Sequence, residues 1–235
     1  MTSFTHEVDR TTTGVMHKPL SAKEKEFIKE EVLPLIESKT IRINYSRTNS
    51  GVGRTQVFGY GARRGLGFGE FKNNRENPDL YRVLVQLGEK IVPPFIPFTA
   101  IQVNLNYQTS KHIDKNNIGL SLSVSFGDFT GGELVIAGNP FQTRLSPIIF
   151  NGALNEHFNQ PITGDRYSLV FFVNAPPKMT DIQIFQLHEQ IIKNHRKVIG
   201  SSIQSSESVK KVILDAQTPE HLCSQFFSDD GRSFT

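Results

Sequence analysis

Asn104-Leu105-Asn106-Tyr107-Gln108-Thr109-Ser110-Lys111-His112-Ile113-Asp114-Lys115-Asn116-Asn117 is the stretch on which the fold reading turns. It enters as an apolar strand from about residue 99 and ends by placing an imidazole and a carboxylate two positions apart. In extended backbone, side chains at i and i+2 point to the same face, so His112 and Asp114 can reach one ion together. Nitrogen and carboxylate oxygen donors suit iron(II). A second histidine from a distant strand would complete a two-histidine, one-carboxylate set with positions left open for a bidentate co-substrate and dioxygen. A His-x-Asp alone is also what a polar strand end looks like, so the downstream sequence has to decide.

Downstream, His157 follows the apolar run Pro147-Ile148-Ile149-Phe150, and then comes Arg166-Tyr167-Ser168-Leu169-Val170-Phe171-Phe172-Val173. With period two, Tyr167, Leu169, Phe171 and Val173 share one face, and Arg166, Ser168, Val170 and Phe172 share the other. Both faces are largely apolar, so the strand is expected to be buried on both sides. A buried arginine needs an anion. The spacing puts Arg166 and Ser168 side by side in a pocket, where a guanidinium fork and a hydroxyl can take a carboxylate. With a metal nearby, 2-oxoglutarate is the dicarboxylate that fits. The plainer alternative is an ion pair from Arg166 to Asp165 or Glu156.

The order His112-x-Asp114, distal His157, Arg166-x-Ser168 resembles the iron(II)/2-oxoglutarate-dependent oxygenase superfamily. Within it, three stretches are most similar to the TET/JBP branch, which oxidises the methyl group of thymine or 5-methylcytosine in nucleic acid. They are the run from His112 to Ser121, the run Phe126-Gly127-Asp128-Phe129-Thr130-Gly131-Gly132-Glu133-Leu134, and the run from Gly164 to Phe172. The similarity spans roughly residues 99 to 175. It implies a mainly β fold with bracing helices around a double-stranded β-helix, a jelly-roll-like core. It also implies iron(II) on His112, Asp114 and His157, 2-oxoglutarate on Arg166 and Ser168, and dioxygen as the oxidant. Asn104, Asn106 and Tyr107 lie on the strand entering the site, and whichever of them face inward are candidates for the co-substrate, with Asn104 and Tyr107 taken as its contacts. Asn117, with Asn116 beside it, occupies the place of a base-contacting asparagine in TET proteins. The cysteine-rich zinc-binding region of animal TET proteins has no counterpart here. The expected substrate is therefore DNA or RNA, with a protein side chain or small molecule as the alternative.

Outside this core, the Gly-rich run from Gly51 to Gly69 carries Arg54, Arg63 and Arg64 among Phe58, Tyr60 and Phe68. Arginines attract phosphate and aromatic faces take bases, so the run reads as a substrate lid with Arg54 and Arg63 as contacts; a solvated β-ribbon is the other reading. Ser21-Ala22-Lys23-Glu24 is a capping box for a helix over about 22–37 that Pro34 kinks or ends. A strand is expected over 40–47. Asn77-Pro78 opens a second helix with an apolar stripe ending near Ile91. Strands are expected at 99–107, 119–126, 133–137, 141–145, 148–150, 153–158 and 166–173. The oxygenase domain is placed at 1–179, with N-terminal helices and lid over 1–98 and the β core over 99–179. A helical tail spans 180–235, with helices to about Val198 and from Thr218, and His188-Glu189 lacks the second histidine of a zinc-protease motif. His195 and His221 read as surface residues.

The composition is consistent with this reading. The chain has 235 residues, 37% of them hydrophobic, enough for one buried core. A formal charge of +3 permits nucleic-acid binding without demanding it. The single cysteine, Cys223, cannot form an intrachain disulfide. An intracellular setting, cytoplasmic or nuclear, is expected, with no membrane partner.

Overall fold

The computed structural model describes residues 7–39, 51–63, 65–176 and 178–200. The strand expected over 40–47, the linker and helix expected after Gly200, and Arg64, His221 and Cys223 lie outside them. After a short strand, β1 (Met16–His17), the capping box forms as its sequence predicts. The Ser21 hydroxyl accepts from the Glu24 amide at 3.3 Å, and the Glu24 carboxylate accepts from the Ser21 amide at 2.6 Å. The helix runs as α1 (Ala22–Phe27), widens into a π-turn over Ile28–Val32 and resumes as α2 (Leu33–Glu37). The expected kink at Pro34 takes the form of this widening. Proline has no amide hydrogen for the carbonyl four residues back, and the Leu33 amide reaches to Ile28 instead.

Next come β2 (Gly51–Arg63), β3 (Gly67–Glu70), α3 (Asn73–Glu76) and α4 (Pro78–Ile91). Asn77 stands before Pro78 as expected, but its side chain makes no capping bond. Proline at the first helical position has already removed one donor that would need a cap. The β core follows as β4 (Ala100–Thr109), β5 (Ser121–Gly131), β6 (Leu134–Ile136), β7 (Asn139–Phe141), β8 (Ile148–Phe150), β9 (His157–Asn159) and β10 (Ile162–Phe172). A final described helix is α5 (Asp181–Gly200).

These strands form a seven-stranded sheet in the order β1-β8-β5-β10-β4-β2-β3 and a three-stranded sheet β7-β6-β9, with every strand pair antiparallel. Between β4 and β10 the chain passes back and forth between the two sheets. An isolated bridge from His112 to His157 extends the smaller sheet past β9. This is a double-stranded β-helix of jelly-roll type. Two expected strands shift: the one at 141–145 is the β7 hairpin arm ending at Phe141, and the one at 153–158 is a turn that becomes strand only at His157.

Alternation along the large sheet divides its two faces. Ile101, Val103, Leu122, Val124, Leu169 and Phe171 pack with Leu80, Leu84, Leu87 and Ile91 of α4 in the main core. Their neighbours Gln102, Asn104, Ser123, Ser125, Arg166 and Ser168 are also buried, on the opposite face. One face of the sheet is thus an apolar core and the other the polar floor of a cavity.

Within the Gly-rich run, Gly51–Arg63 is a strand of the large sheet beside β4, with Val57 bordering the open cleft in front of His112 and Asp114. Its glycines answer to the neighbouring strand. Gly59 has φ +92°, and a Cβ there would stand 2.3 Å from the Thr99 carbonyl oxygen. Gly53 has φ +135° and lies opposite a bulge at Asn106, whose own φ is +49°.

His195, expected at the surface, is buried at 9% exposure and lies edge-on to Tyr81 with ring centroids 4.5 Å apart. Burial pushes its pKa down to about 4, and Arg82 adds to the shift. The reason is helical periodicity. Ile184, Leu187, His188, Ile191, Ile192 and His195 recur at the spacing of one face, and all are buried.

Replacing Gly59 by alanine is expected to lower the unfolding free energy by roughly 1–3 kcal/mol, read as a lower urea midpoint, from backbone strain and the clash with Thr99. An unchanged midpoint would contradict the close approach of β2 to the segment before β4.

Candidate metal centre

Two backbone hydrogen bonds bring the distant histidines together. The His112 amide donates to the His157 carbonyl at 3.1 Å, and the His157 amide donates back at 2.9 Å. Asp114 is fixed by its amide bond to the Gly152 carbonyl, at 2.9 Å. His112 Nε2 then lies 3.6 Å from Asp114 Oδ1, and His157 Nε2 lies 3.5 Å from Asp114 Oδ2. One ligand atom from each of the three residues lies within 4.8 Å of the others. His157 is buried, while His112 and Asp114 are partly exposed toward the mouth.

The outer nitrogens define the protonation. His112 Nδ1 is 2.6 Å from the Ser110 carbonyl oxygen, and His157 Nδ1 is 2.9 Å from that of Asn155. A carbonyl only accepts, so each Nδ1 carries the hydrogen, and in a neutral ring Nε2 presents a lone pair. Two lone pairs and a carboxylate therefore converge on one point. That arrangement is repulsive until a cation enters, and a borderline divalent metal such as iron(II) suits it. The Asn117 amide donates to Asp114 Oδ2 at 3.1 Å, so this asparagine braces the carboxylate.

Behind the triad lies a cavity of about 90 Å³ whose wall includes Asn104, Tyr107, Asn159, Arg166 and Ser168. A water-sized group needs ~10–15 Å³ in this measure, so the space takes a small molecule and no polymer. Arg166 is 2% exposed, and it forms no ion pair among the described residues. Asp165 accepts instead from Asn106 Nδ2 at 3.0 Å, and Glu156 pairs with Lys111 at 2.6 Å. The local ion pair weighed in the sequence is therefore not made. Burial lowers the Arg166 pKa to about 10, opposed by the charge of Glu133. Its Nε has no hydrogen-bond partner, and neither does Asn104 Oδ1, while Asn104 Nδ2 donates to Ser168 Oγ at 3.2 Å. A half-turn of the Asn104 amide would aim its donors into the cavity and leave its oxygen to accept from Ser168. Arg166 and Asn104 then offer donors to one carboxylate on the cavity wall; with the amide unturned, the Ser168 hydroxyl hydrogen is the one left to join Arg166.

Tyr107 and Thr109 reach the same wall because of the bulge. Alternation from Gln102 and Asn104 would point Asn106 inward; the positive φ at Asn106 shifts the phase by one residue. Asn106 instead accepts from the Arg166 amide at 2.6 Å. Thr109 and Asn159 went unnoticed in the sequence. The Thr109 hydroxyl donates to Asn159 Oδ1 at 2.9 Å and accepts from its amide at 3.0 Å. The one available signal was Asn159 at i+2 from His157, which places both on the same face.

In front of the triad, an open cleft of about 460 Å³ is bordered by Asn116, Asn117, Lys115, Ile113 and Phe71. Arg54 and Arg63 are on neither wall. Arg54 is exposed on β2, and Arg63 donates to the Glu70 carbonyl at 3.2 Å.

Fold and site together define a double-stranded β-helix carrying a His-x-Asp and distal-His cluster with a buried arginine beside it. No family model matches the chain, nor does any curated protein. Several solved structures are similar to it. NgTET1 in complex with 5mC DNA is 15% identical over 68% of this chain and 72% of that one, with a TM-score of 0.47. A Pseudomonas putida prolyl-4-hydroxylase is 14% identical over 70% and 94%, with a TM-score of 0.43. An oxidoreductase of the 2OG-Fe(II) oxygenase family from Burkholderia pseudomallei is 16% identical over 68% and 83%, with a TM-score of 0.41.

Because a guanidinium is buried without an anion, Arg166→Met is expected to raise the stability of the ligand-free protein, by roughly 1–3 kcal/mol. Denaturant unfolding checks this, and a lowered midpoint would mean that the ligand-free fold already compensates the charge.

Proposed function

We propose that the chain is an iron(II)- and 2-oxoglutarate-dependent dioxygenase acting on the methyl group of a modified pyrimidine in nucleic acid. The observation that carries the oxygenase reading is geometric: two imidazoles and a carboxylate gather within 4.8 Å of one another, and a buried guanidinium that makes no ion pair among the described residues lines the same small cavity. A ferrous ion fits the first and a dicarboxylate the second. His112, Asp114 and His157 would hold the iron, and Arg166, with Ser168 or Asn104, the far carboxylate of 2-oxoglutarate. When bound, the iron couples oxidative decarboxylation of 2-oxoglutarate by dioxygen, giving succinate and carbon dioxide, to insertion of one oxygen atom into a substrate C–H bond.

The protein's own residues orient and exclude. The Nδ1 bonds to Ser110 and Asn155 keep the imidazole lone pairs aimed inward. Asn117 holds the carboxylate rotamer. Leu134, Phe150, Val170 and Phe172 give the cavity apolar walls that limit water beside the reacting groups.

The nucleic-acid reading is supported by the TET/JBP-like stretches around His112, Phe126 and Arg166. It is also supported by a cleft that offers amides at Asn116 and Asn117, a cation at Lys115 and a ring at Phe71. The alternative is a hydroxylase of a protein side chain or small molecule. Arg54 and Arg63 favour it, since both stand away from the cleft and leave few cations there for phosphate.

With a 5-methylcytosine oligonucleotide, iron(II), 2-oxoglutarate and dioxygen, the wild type is expected to yield succinate and an oxidised nucleoside by mass spectrometry. Asp114→Ala should reduce both to the rate without protein. Succinate without an oxidised nucleoside would favour the alternative, and no succinate with either substrate class would contradict the oxygenase reading.

A further inference from the structure

Arg166 can take a carboxylate through its fork only if its guanidinium plane is held, and among the described residues no carboxylate pairs with it. The one hydrogen bond its guanidinium makes among the described residues runs from Nη2 to Thr143 Oγ1, at 3.3 Å. Thr143 is 1% exposed and lies in the crossing between β7 and β8. It is not on the cavity wall, so it stands behind the arginine.

Thr143 is itself clamped to the sheet. Its hydroxyl lies 2.7 Å from Ser125 Oγ, and its carbonyl accepts from the Ser125 amide at 2.8 Å. The Leu145 amide donates to the Ser125 carbonyl at 2.8 Å. Ser125 is fully buried and pairs in register with Ser168 on β10. The Phe129 ring supports the guanidinium from another side. Arg144 stacks over the Phe129 ring at 4.3 Å and donates to the Phe129 carbonyl, and Arg166 lies over the same ring at 5.6 Å.

We propose that Thr143 is a positioning residue for the co-substrate. Its hydroxyl, set by Ser125, fixes the plane of the Arg166 guanidinium so that the cavity-facing donors meet the far carboxylate of 2-oxoglutarate. The proposal rests on the reading of the cavity as a 2-oxoglutarate site. A bidentate contact depends on donor orientation as well as charge, so loss of the hydroxyl weakens carboxylate binding with the arginine still present.

The test is calorimetric binding of 2-oxoglutarate to the manganese(II)-loaded full chain, beside oxalate, a chelator with no far carboxylate. Thr143→Val is expected to weaken 2-oxoglutarate about tenfold, as for a lost bond to a charged group. It should leave oxalate unchanged, and Thr143→Ser should stay within about threefold of the wild type. Ser125→Ala, which keeps the threonine but removes the group that orients it, should weaken 2-oxoglutarate about threefold. It decides the matter if the valine variant does not fold. Equal loss of both ligands in Thr143→Val would mark general damage and overturn the proposal. Arg166→Met separates the two claims. If it binds 2-oxoglutarate like the wild type, the cavity reading fails and the proposal with it. If it loses binding while Thr143→Val and Ser125→Ala do not, the positioning role alone is wrong.

Discussion

The pair of backbone hydrogen bonds between His112 and His157 is the constraint on which the rest of the structure depends. Forty-odd residues, β5 to β8 among them, lie between these histidines, and the bridge returns the chain to its starting point at the cavity mouth. With the outer ring nitrogens bound to carbonyls, rotation that would hide the inner lone pairs breaks a buried hydrogen bond at His157. The protein therefore holds two imidazoles and a carboxylate together at one point. A site of that kind is stabilised by whatever cation enters it.

The second strained arrangement lies at the other end of the same cavity. Burying Arg166 opposes folding, and what the fold supplies in return is a hydroxyl from Thr143 and the face of Phe129. Both partners hold the guanidinium in place without using up its charge. An internal carboxylate would have stabilised the empty protein better, but it would also have competed with any anionic ligand. The two carboxylates weighed in the sequence are engaged elsewhere: Asp165 by Asn106 and Glu156 by Lys111. Stability is thus given up at the residues that the proposed chemistry needs most.

Much of this was legible in the sequence because period-two patterns are local. His112-x-Asp114 and Arg166-x-Ser168 follow from the pleat alone, as does the face shared by Arg166, Ser168, Val170 and Phe172, all four of which line the cavity. The order of elements gave the mainly β class and its bracing helices. What escaped is non-local. The place of the Gly-rich run in the large sheet was hidden because the close approach of the Thr99 backbone that requires Gly59 is invisible along the chain. The phase shift at Asn106, which brings Tyr107 to the cavity wall, cannot be read from an alternating pattern. Thr143 and Asn159 carry no motif of their own, and each becomes meaningful only beside a residue far away in sequence. His195 was the exception: its burial was encoded in helical spacing that extends the apolar face of α5.

The central claim is that three side chains from two separated segments bind a single ferrous ion. Anaerobic titration of iron(II) into the wild-type chain, followed by X-ray absorption spectroscopy, tests it most directly. The account predicts one ion per chain, with imidazole nitrogen and carboxylate oxygen in its coordination shell. A chain that binds no stoichiometric ion, or binds one with no imidazole scattering, would contradict it.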